Sequence, residues 1–314
     1  MGFIVRSLRK EDLQTADHIL RLAFGTFAGV PDPSSFGEGM DHVRTRWLTD
    51  PNAAFGAESD GELVGSNFAT RWGSFGFFGP LTVRPDLWDR GIAKLLLEPT
   101  MELFDKWCVS RVALFTFAQS PKHIGLYQKF GFWPRFLTFL MSKTVQDRGT
   151  SEGWSKFSDL PDAEVGRCLE MCRRLTNSVY EGLDLEREIM VVRKQGLGDT
   201  VLLREGETVV GVAVCHCGPG TEAGRDTCYV KFGAVQSGSS AAEVLFDRLL
   251  NACEELAMMK GMTAVLAGVN SACHNAYRRM IARGFRIDFQ GVLMLKPNEA
   301  AFDRPDRYVL CDLR

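Results

Sequence analysis

An internal repeat between the two halves of the chain sets the strongest limit on its fold. An apolar, β-prone run at 111–117 leads to Gly131-Phe132, and a similar run at 264–269 leads to Gly284-Phe285. In each copy the glycine lies 19 residues after a valine of the run, so both copies keep one register. A Leu-Met-x-Lys sequence then follows each Gly-Phe pair. Self-similarity at a fixed spacing indicates the duplication of one structural unit.

Each repeated run is preceded by a segment with the apolar period of an amphipathic helix. Apolar side chains recur three and four positions apart in 93–104 and again in 245–256. The polar stretch 145–158 between the copies has the composition of a linker. We therefore predict an α/β fold of two tandem domains, residues 1–147 and 148–314. Each is expected to have a central mixed β-sheet flanked by helices.

Composition and charge exclude several classes of partner. Of the 314 residues, 45% are hydrophobic, and 37 basic side chains nearly balance 39 acidic ones. This balance offers no electrostatic surface for nucleic acid or an anionic membrane, so neither is predicted as a partner. No apolar run approaches the roughly 18 residues that span a bilayer, and no apolar leader opens the sequence, which predicts a cytoplasmic protein.

Nine cysteines are scattered through both halves of the chain. Without a secretory signal, this pattern predicts free thiols in a reducing compartment rather than disulfides. Cys215 and Cys217 are the pair nearest to a zinc-binding spacing. No second close pair completes a tetrahedral site, so no metal is predicted.

The segment 79–94 contains the best candidate for a ligand-binding loop. A short apolar stretch is stopped by a proline, and a helix begins near Gly91. The first turn of a helix has unpaired N–H groups and the positive end of the helix dipole, and both favour phosphate. Gly91 and Ala93 are small enough to let a phosphate reach those N–H groups, while Arg90 and Lys94 add positive charge.

Two motifs in the first half occur in the order of a known family. The stretch Val83-Arg84-Pro85 precedes the loop, and Gly91-Ile92-Ala93 ends it. Further on, Tyr127 is followed by Gly131-Phe132. This resembles the GNAT superfamily of N-acetyltransferases, whose acetyl-CoA loop reads Gln/Arg-x-x-Gly-x-Gly/Ala after Val-x-Pro. Its next motif is Asn-x-x-Ala-x-x-x-Tyr-x-x-x-Gly-Phe.

The chain departs from the family pattern at three positions. Trp88 stands where the loop has Gln or Arg, Ser120 replaces the asparagine, and His123 replaces the alanine of the second motif. The first departure affects the side-chain contribution to pyrophosphate binding but not the backbone contribution. The resemblance is strongest from 63 to 143 and loose over the remainder of the first half.

The resemblance implies that the first half transfers an acetyl group directly from acetyl-CoA to a primary amine of a small molecule. The N–H of Leu81 is expected to face the thioester carbonyl, and Tyr127 to give its proton to the departing thiolate. The residues expected to bind the cofactor are Leu81, Val83, Asp89, Arg90, Gly91, Ile92, Ala93, Lys94, Ser120 and Tyr127. The alternatives are a catalytically silent acyl-CoA-binding module and a peptide or protein acetyltransferase. The chain is expected to be a monomer or a homodimer.

Several residues near these motifs have two interpretations each. Glu38, Asp41 and His42 line the acceptor site or belong to a solvated loop. His123 carries a proton or is simply packed. A group of aromatic residues before the cofactor strand favours an apolar acceptor or belongs to the core; its members are Trp72, Phe75, Phe77 and Phe78. The sequence does not assign the general base.

The second copy lacks the motifs of the first. Val244 stands at the position of Gly91, and Ser240 with Glu243 has the pattern of a capping box, in which side chains occupy the N–H groups that phosphate needs. Met280 stands at the position of Tyr127 and has no proton to donate. We therefore predict that the second half has no cofactor site.

Overall fold

The computed structural model describes residues 2–146, 152–238 and 240–314, and the predicted boundary between 147 and 148 lies outside them. The first half contains β1 Ile4–Ser7, α1 Leu13–Ala28, α2 His42–Thr49, β2 Ala54–Ser59, β3 Glu62–Trp72, β4 Phe75–Phe78, β5 Thr82–Val83, α3 Ile92–Trp107, β6 Arg111–Thr116, α4 Pro121–Gln128 and β7 Trp133–Thr144. The second half contains β8 Trp154–Lys156, α5 Asp162–Val179, α6 Glu186–Gln195, β9 Gly198–Glu205, β10 Thr208–Cys217, β11 Thr227–Val235, α7 Ala242–Met259, β12 Ala264–Asn270, α8 His274–Ala282, β13 Arg286–Lys296 and β14 Val309–Leu310.

The predicted repeat is confirmed in the order of elements. The two β-prone runs form β6 and β12, each preceded by an amphipathic helix, α3 or α7, and followed by a shorter one, α4 or α8. The linker prediction is wrong in part, because β8 forms inside it and pairs with β9. Among the described residues, no helix has the length and apolar character that a membrane span requires.

All strands join one mixed sheet of 14 strands instead of two separate sheets. Its order is β1-β2-β3-β4-β6-β13-β7-β12-β11-β10-β9-β8, with β5 beside β3 and β14 beside β11. The last long strand of each half pairs with strands of the other half. Strand β13 pairs with β6, with Met294 opposite Leu114, and β7 pairs with β12, with Leu140 opposite Gly268. The two exchanged strands pair with each other at the centre, where Thr138 faces Gly291.

The largest apolar core also includes residues of both halves. Trp72 packs against Phe232 with ring centroids 5.5 Å apart, and Phe75 packs against Phe302 at 5.0 Å. Trp72, Phe75, Phe77 and Phe78 are each at most 3% exposed. Their second interpretation therefore holds: these aromatic side chains belong to the core and form no wall of an acceptor site.

The strand exchange predicts that the halves do not separate. A fragment that ends at Val145 lacks β13, so β6 and β7 lose their shared partner and expose strand edges, which promote aggregation. We expect this fragment to be insoluble or inactive when expressed alone. Co-expression with residues 152–314 should restore soluble protein, measured by size-exclusion chromatography. A monomeric first half that binds acetyl-CoA by itself would contradict the interpretation.

Candidate active site

A cleft opens in the first half where two parallel strands part. Strands β4 and β6 pair from Phe75 opposite Arg111 to Phe77 opposite Ala113. Beyond this point the chain bends at Gly79-Pro80 and continues as β5, which pairs with β3, whereas β6 continues beside β13. The cleft between β5 and the end of β6 is therefore built by the backbone alone.

The direction of the peptide groups in β5 decides which of them face this cleft. The N–H of Arg84 donates to the carbonyl of Val64 on β3 at 2.9 Å. Peptide groups of successive residues in a strand point to opposite edges, so the N–H and C=O of Val83 point away from β3 and into the cleft. Leu81 precedes β5, so this alternation does not fix the direction of its N–H. Of the two predicted backbone donors, Val83 thus has the required orientation.

Trp88, which departs from the family pattern, holds the loop against β5. Its indole N–H donates to the carbonyl of Val83 at 2.8 Å. The Lys122 ammonium lies 5.7 Å from the centre of the indole ring and 2.6 Å from the Asp89 carboxylate. These contacts connect the loop to the start of α4. Because Trp88 uses the Val83 carbonyl, the Val83 N–H is the group left to bind a ligand.

The start of α3 has the form that a phosphate site requires. Gly91 is the N-cap, with φ of 83°, and within the described residues no side chain caps the helix. A Cβ at Gly91 would meet no described atom within 4 Å. The first hydrogen bond of the helix runs from the Leu95 N–H to the Gly91 carbonyl. The N–H groups of 92–94 therefore have no partner within the helix. The Lys94 ammonium is 3.9 Å from the Glu98 carboxylate on the exposed surface.

Tyr127 lies on α4 beside the cleft. It is 7% exposed, and its ring packs against Phe78 at 5.8 Å between centroids. Burial raises the pKa of the Tyr127 hydroxyl above its ordinary value, and a hydrogen bond with the Thr116 side chain opposes this by less. Tyr127 is therefore protonated at neutral pH, as a proton donor must be.

Ser120 and His123 have structural roles at the start of α4. The Ser120 hydroxyl accepts from the N–H of His123 at 3.3 Å and caps the helix, so this oxygen already serves the backbone. The His123 ring packs against Phe27 at 4.9 Å and Phe117 at 5.7 Å. Burial, and then the charge of Lys122, lower the pKa of His123, which is neutral at pH 7.

The loop with the three predicted acceptor-site residues is fastened to the second half. Glu38 pairs with Arg225, and the Asp41 carboxylate caps α2 by accepting from the Arg44 N–H at 2.9 Å. His42 lies 3.6 Å from the Glu222 carboxylate, and burial lowers its pKa. The Glu38 side chain is 68% exposed, which agrees with a solvated loop, and the segment also forms an interface between the halves.

Partly exposed aromatic rings, which the sequence did not single out, lie beside the cleft. They come from α1, the loop after it, the end of β6, and β13 of the second half, and we call them the aromatic face: Phe24, Phe27, Phe36, Phe117 and Phe289. Phe117 contacts Phe27 at 4.3 Å and Phe289 at 5.7 Å between ring centroids. No local pattern could reveal a surface that four distant segments build together.

Comparison with known proteins agrees with this geometry. Residues 18–132 match the model of the acetyltransferase (GNAT) family. These residues form a GNAT acetyltransferase domain. No curated protein matches the chain in sequence. Acetyl-CoA is the acyl donor of this family, so the predictions of the family and of the cofactor are confirmed.

Solved structures share the fold of the whole chain and not only of the GNAT domain. A candidate acetyltransferase from Pyrococcus horikoshii has a TM-score of 0.70 at 14% identity, with 99% of this chain and 94% of that chain covered. A GCN5-related N-acetyltransferase from Sphaerobacter thermophilus has a TM-score of 0.60 at 15% identity, with 96% of both chains covered. A tandem GNAT protein from the clavulanic acid biosynthesis pathway has a TM-score of 0.56 at 13% identity, with coverages of 96% and 98%. The tandem GNAT fold is therefore confirmed.

The cleft of the second half is filled by the chain itself. Strands β11 and β12 pair up to Val230 opposite Ala267 and then part, as β4 and β6 do in the GNAT domain. The segment 308–313, which we call the plug segment, occupies the gap. Its strand β14 pairs with β11, and Cys311 donates to the carbonyl of Gly268 on β12 at 2.8 Å.

The prediction of a capping box in the second half is wrong. Helix α7 begins at Ala242 with Ala241 as N-cap, and no side chain in the described part of the chain caps it. Ser240 lies before the cap, and the Glu243 carboxylate instead lies 3.1 Å from Arg279. Met280 is fully buried in the core. The plug segment is therefore the feature that closes the second cleft.

The close approach of the plug segment depends on Gly268. A Cβ at this position would lie 2.3 Å from the Cβ of Asp312, so Gly268→Val must displace the segment. We expect a loss of about 1–3 kcal/mol in unfolding free energy, as in other overpacked sites. Gly166→Ala is the matched control, because a Cβ on this helical glycine meets no described atom within 4 Å. Equal denaturant midpoints for wild type and Gly268→Val would contradict the assignment.

Proposed function

We propose that this chain transfers an acetyl group from acetyl-CoA to a primary amine of a small molecule, at one site per chain. In this proposal residues 1–147 form the catalytic domain and residues 148–314 a supporting domain without a cofactor site. The observation that carries the proposal is the cleft beside β5, which combines the inward N–H of Val83, an uncapped helix start and a protonated tyrosine. The closed cleft of the second half supports a single site.

The residues around the cleft account for each step of the transfer. The N–H groups from Asp89 to Lys94 would hold the pyrophosphate, and the Val83 N–H the pantetheine arm. The amine nitrogen forms a bond to the thioester carbon, while the Leu81 N–H stabilises the negative charge on its oxygen. The bond from carbon to sulfur then breaks and Tyr127 protonates the leaving thiolate. The amine gives its proton to water, and water returns a proton to Tyr127.

The aromatic face indicates the kind of amine that is accepted. Its rings are partly buried, and one of them, Phe117, directly follows Thr116, whose side chain contacts the Tyr127 hydroxyl. Apolar rings bind apolar groups and offer no charge to a highly charged substrate. We infer that the acceptor is a small amine with an apolar or aromatic group. A panel of amines, with release of free CoA thiol as the readout, tests this inference.

The first test concerns the number of cofactor sites. Calorimetric titration with acetyl-CoA should give a stoichiometry near one per chain. Gly91→Glu should abolish binding, because its side chain and charge would meet the pyrophosphate. Gly238→Glu is the matched control, since both glycines have positive φ and open space within the described structure, but Gly238 lies in the second half. A stoichiometry near two, or binding that survives Gly91→Glu, would contradict the assignment.

The second test concerns the proton donor. Tyr127→Phe should lower kcat about 10²-fold, the usual scale for loss of a general acid, and leave the Kd of acetyl-CoA unchanged because the ring remains. The measurement is steady-state kinetics beside the melting temperature. Tyr277→Phe on α8 of the second half serves as control, because this ring is away from the cleft and stacks on Phe139 of the exchanged strand β7. An unchanged kcat in folded Tyr127→Phe would show that this tyrosine has only a packing role.

A further inference from the structure

The buried arginine of α2 makes contacts that the proposed reaction has not yet used. Arg46 is 5% exposed, and its guanidinium donates to the main-chain carbonyls of Gly79 and Arg314. The same group donates to the Glu222 carboxylate through Nε at 3.2 Å and through Nη2 at 3.3 Å. One side chain thus joins the strand before the cleft to two segments of the second half.

Gly79 lies at the bend that opens the cleft, two residues before Leu81. Its N–H donates to the Phe68 carbonyl at 2.8 Å, and its φ of 136° is a conformation that favours glycine. Pro80 has no N–H with which to hold the bend. The Leu81 N–H belongs to the next peptide group along the chain, and only Pro80, whose ring fixes its φ, separates that group from the Gly79 carbonyl. A contact that holds the Gly79 carbonyl is therefore close enough to influence the Leu81 N–H. Arg46 makes this contact.

The second half keeps Arg46 in place through buried charges. The Lys231 ammonium lies 2.9 Å from the Glu222 carboxylate and 2.8 Å from that of Glu188. Burial alone would raise the pKa of Glu222, but the charges of Arg46 and Lys231 outweigh this and hold it well below its ordinary value. Buried ion pairs are seldom the most stable way to fill a core, so their retention suggests a role in geometry.

We propose that Arg46 is a positioning residue for acetyl transfer, which fixes the Gly79 carbonyl so that the Leu81 N–H meets the thioester oxygen. Through Glu222 and the Arg314 carbonyl, the second half thereby supports catalysis in the GNAT domain without binding a cofactor. This inference rests on the proposed function, because the role of Leu81 belongs to that proposal. It adds a structural reason for the second half to remain attached.

Arg46→Lys is the sharpest variant for the test. Lysine keeps the charge that faces Glu222 but lacks the planar fork that reaches two carbonyls and a carboxylate together. We expect kcat to fall about 10-fold to 100-fold, which is no more than the loss of an oxyanion donor causes. The Kd of acetyl-CoA should stay within about twofold of wild type. Arg44→Lys is the control, since this neighbouring side chain on α2 is 53% exposed and pairs with Asp41.

A spectroscopic measurement separates positioning from general destabilisation. In wild-type protein, bound acetyl-CoA with a ¹³C-labelled carbonyl should show a lower carbonyl stretching frequency than in solution, because the Leu81 N–H polarises it. In Arg46→Lys the frequency should return toward the solution value, whether or not an acceptor is known. If Arg46→Lys does not fold, as judged by circular dichroism and melting temperature, Glu222→Gln replaces it and should change frequency and kcat in the same direction.

The outcomes distinguish this inference from the proposed function. Wild-type protein that binds no acetyl-CoA would overturn both. Wild-type protein that binds and polarises acetyl-CoA, beside a folded Arg46→Lys variant with unchanged frequency and kcat, would overturn the inference alone. A variant that loses binding in proportion to its folded fraction would show that Arg46 only stabilises the fold, which also overturns it.

Discussion

The pairing of β13 between β6 and β7 is the contact on which the remainder of the molecule depends. It makes one sheet from two repeated units, because each unit lends its last long strand to the other. The exchange also brings Phe289 beside the end of β6, where the aromatic face begins. In a duplicated chain whose strands paired only within their own half, there would be two sheets. The first half alone would then build the surroundings of its cleft. The exchange therefore places a side chain of the second half beside the cleft of the first.

The two clefts show how one architecture acquires opposite roles. In both halves two parallel strands part after a few paired residues, which leaves backbone groups without a strand partner. Buried backbone groups must find hydrogen-bond partners. In the second half β14 supplies them. In the proposed function the cofactor does so in the GNAT domain, so the same kind of backbone would be a binding site in one half and is a structural joint in the other.

Much of the fold, and the elements that surround the candidate site, could be predicted from the sequence because both depend on local signals. The repeat, the helix start at Gly91 and the position of Tyr127 on α4 are of this kind. The strand exchange could not be predicted, because β7 and β13 are repeats of each other. Each could pair equally well with the strands of its own half or with those of the other half. The hydrogen bond from Trp88 to Val83 depends on the turn between them, and the plug segment has no counterpart in the first half. Ser240 and Glu243 matched a capping pattern, but the helix begins after Ser240.

The place of β13 in the sequence has a consequence for synthesis on the ribosome. About 140 residues separate the end of β7 from the start of β13. At typical translation rates, on the order of ten seconds pass before β6 and β7 meet the strand that lies between them. An N-terminal domain usually folds while the next domain is being synthesised. The first half of this chain cannot complete its folding in that order. This half has to wait, with open strand edges, until β13 has been synthesised.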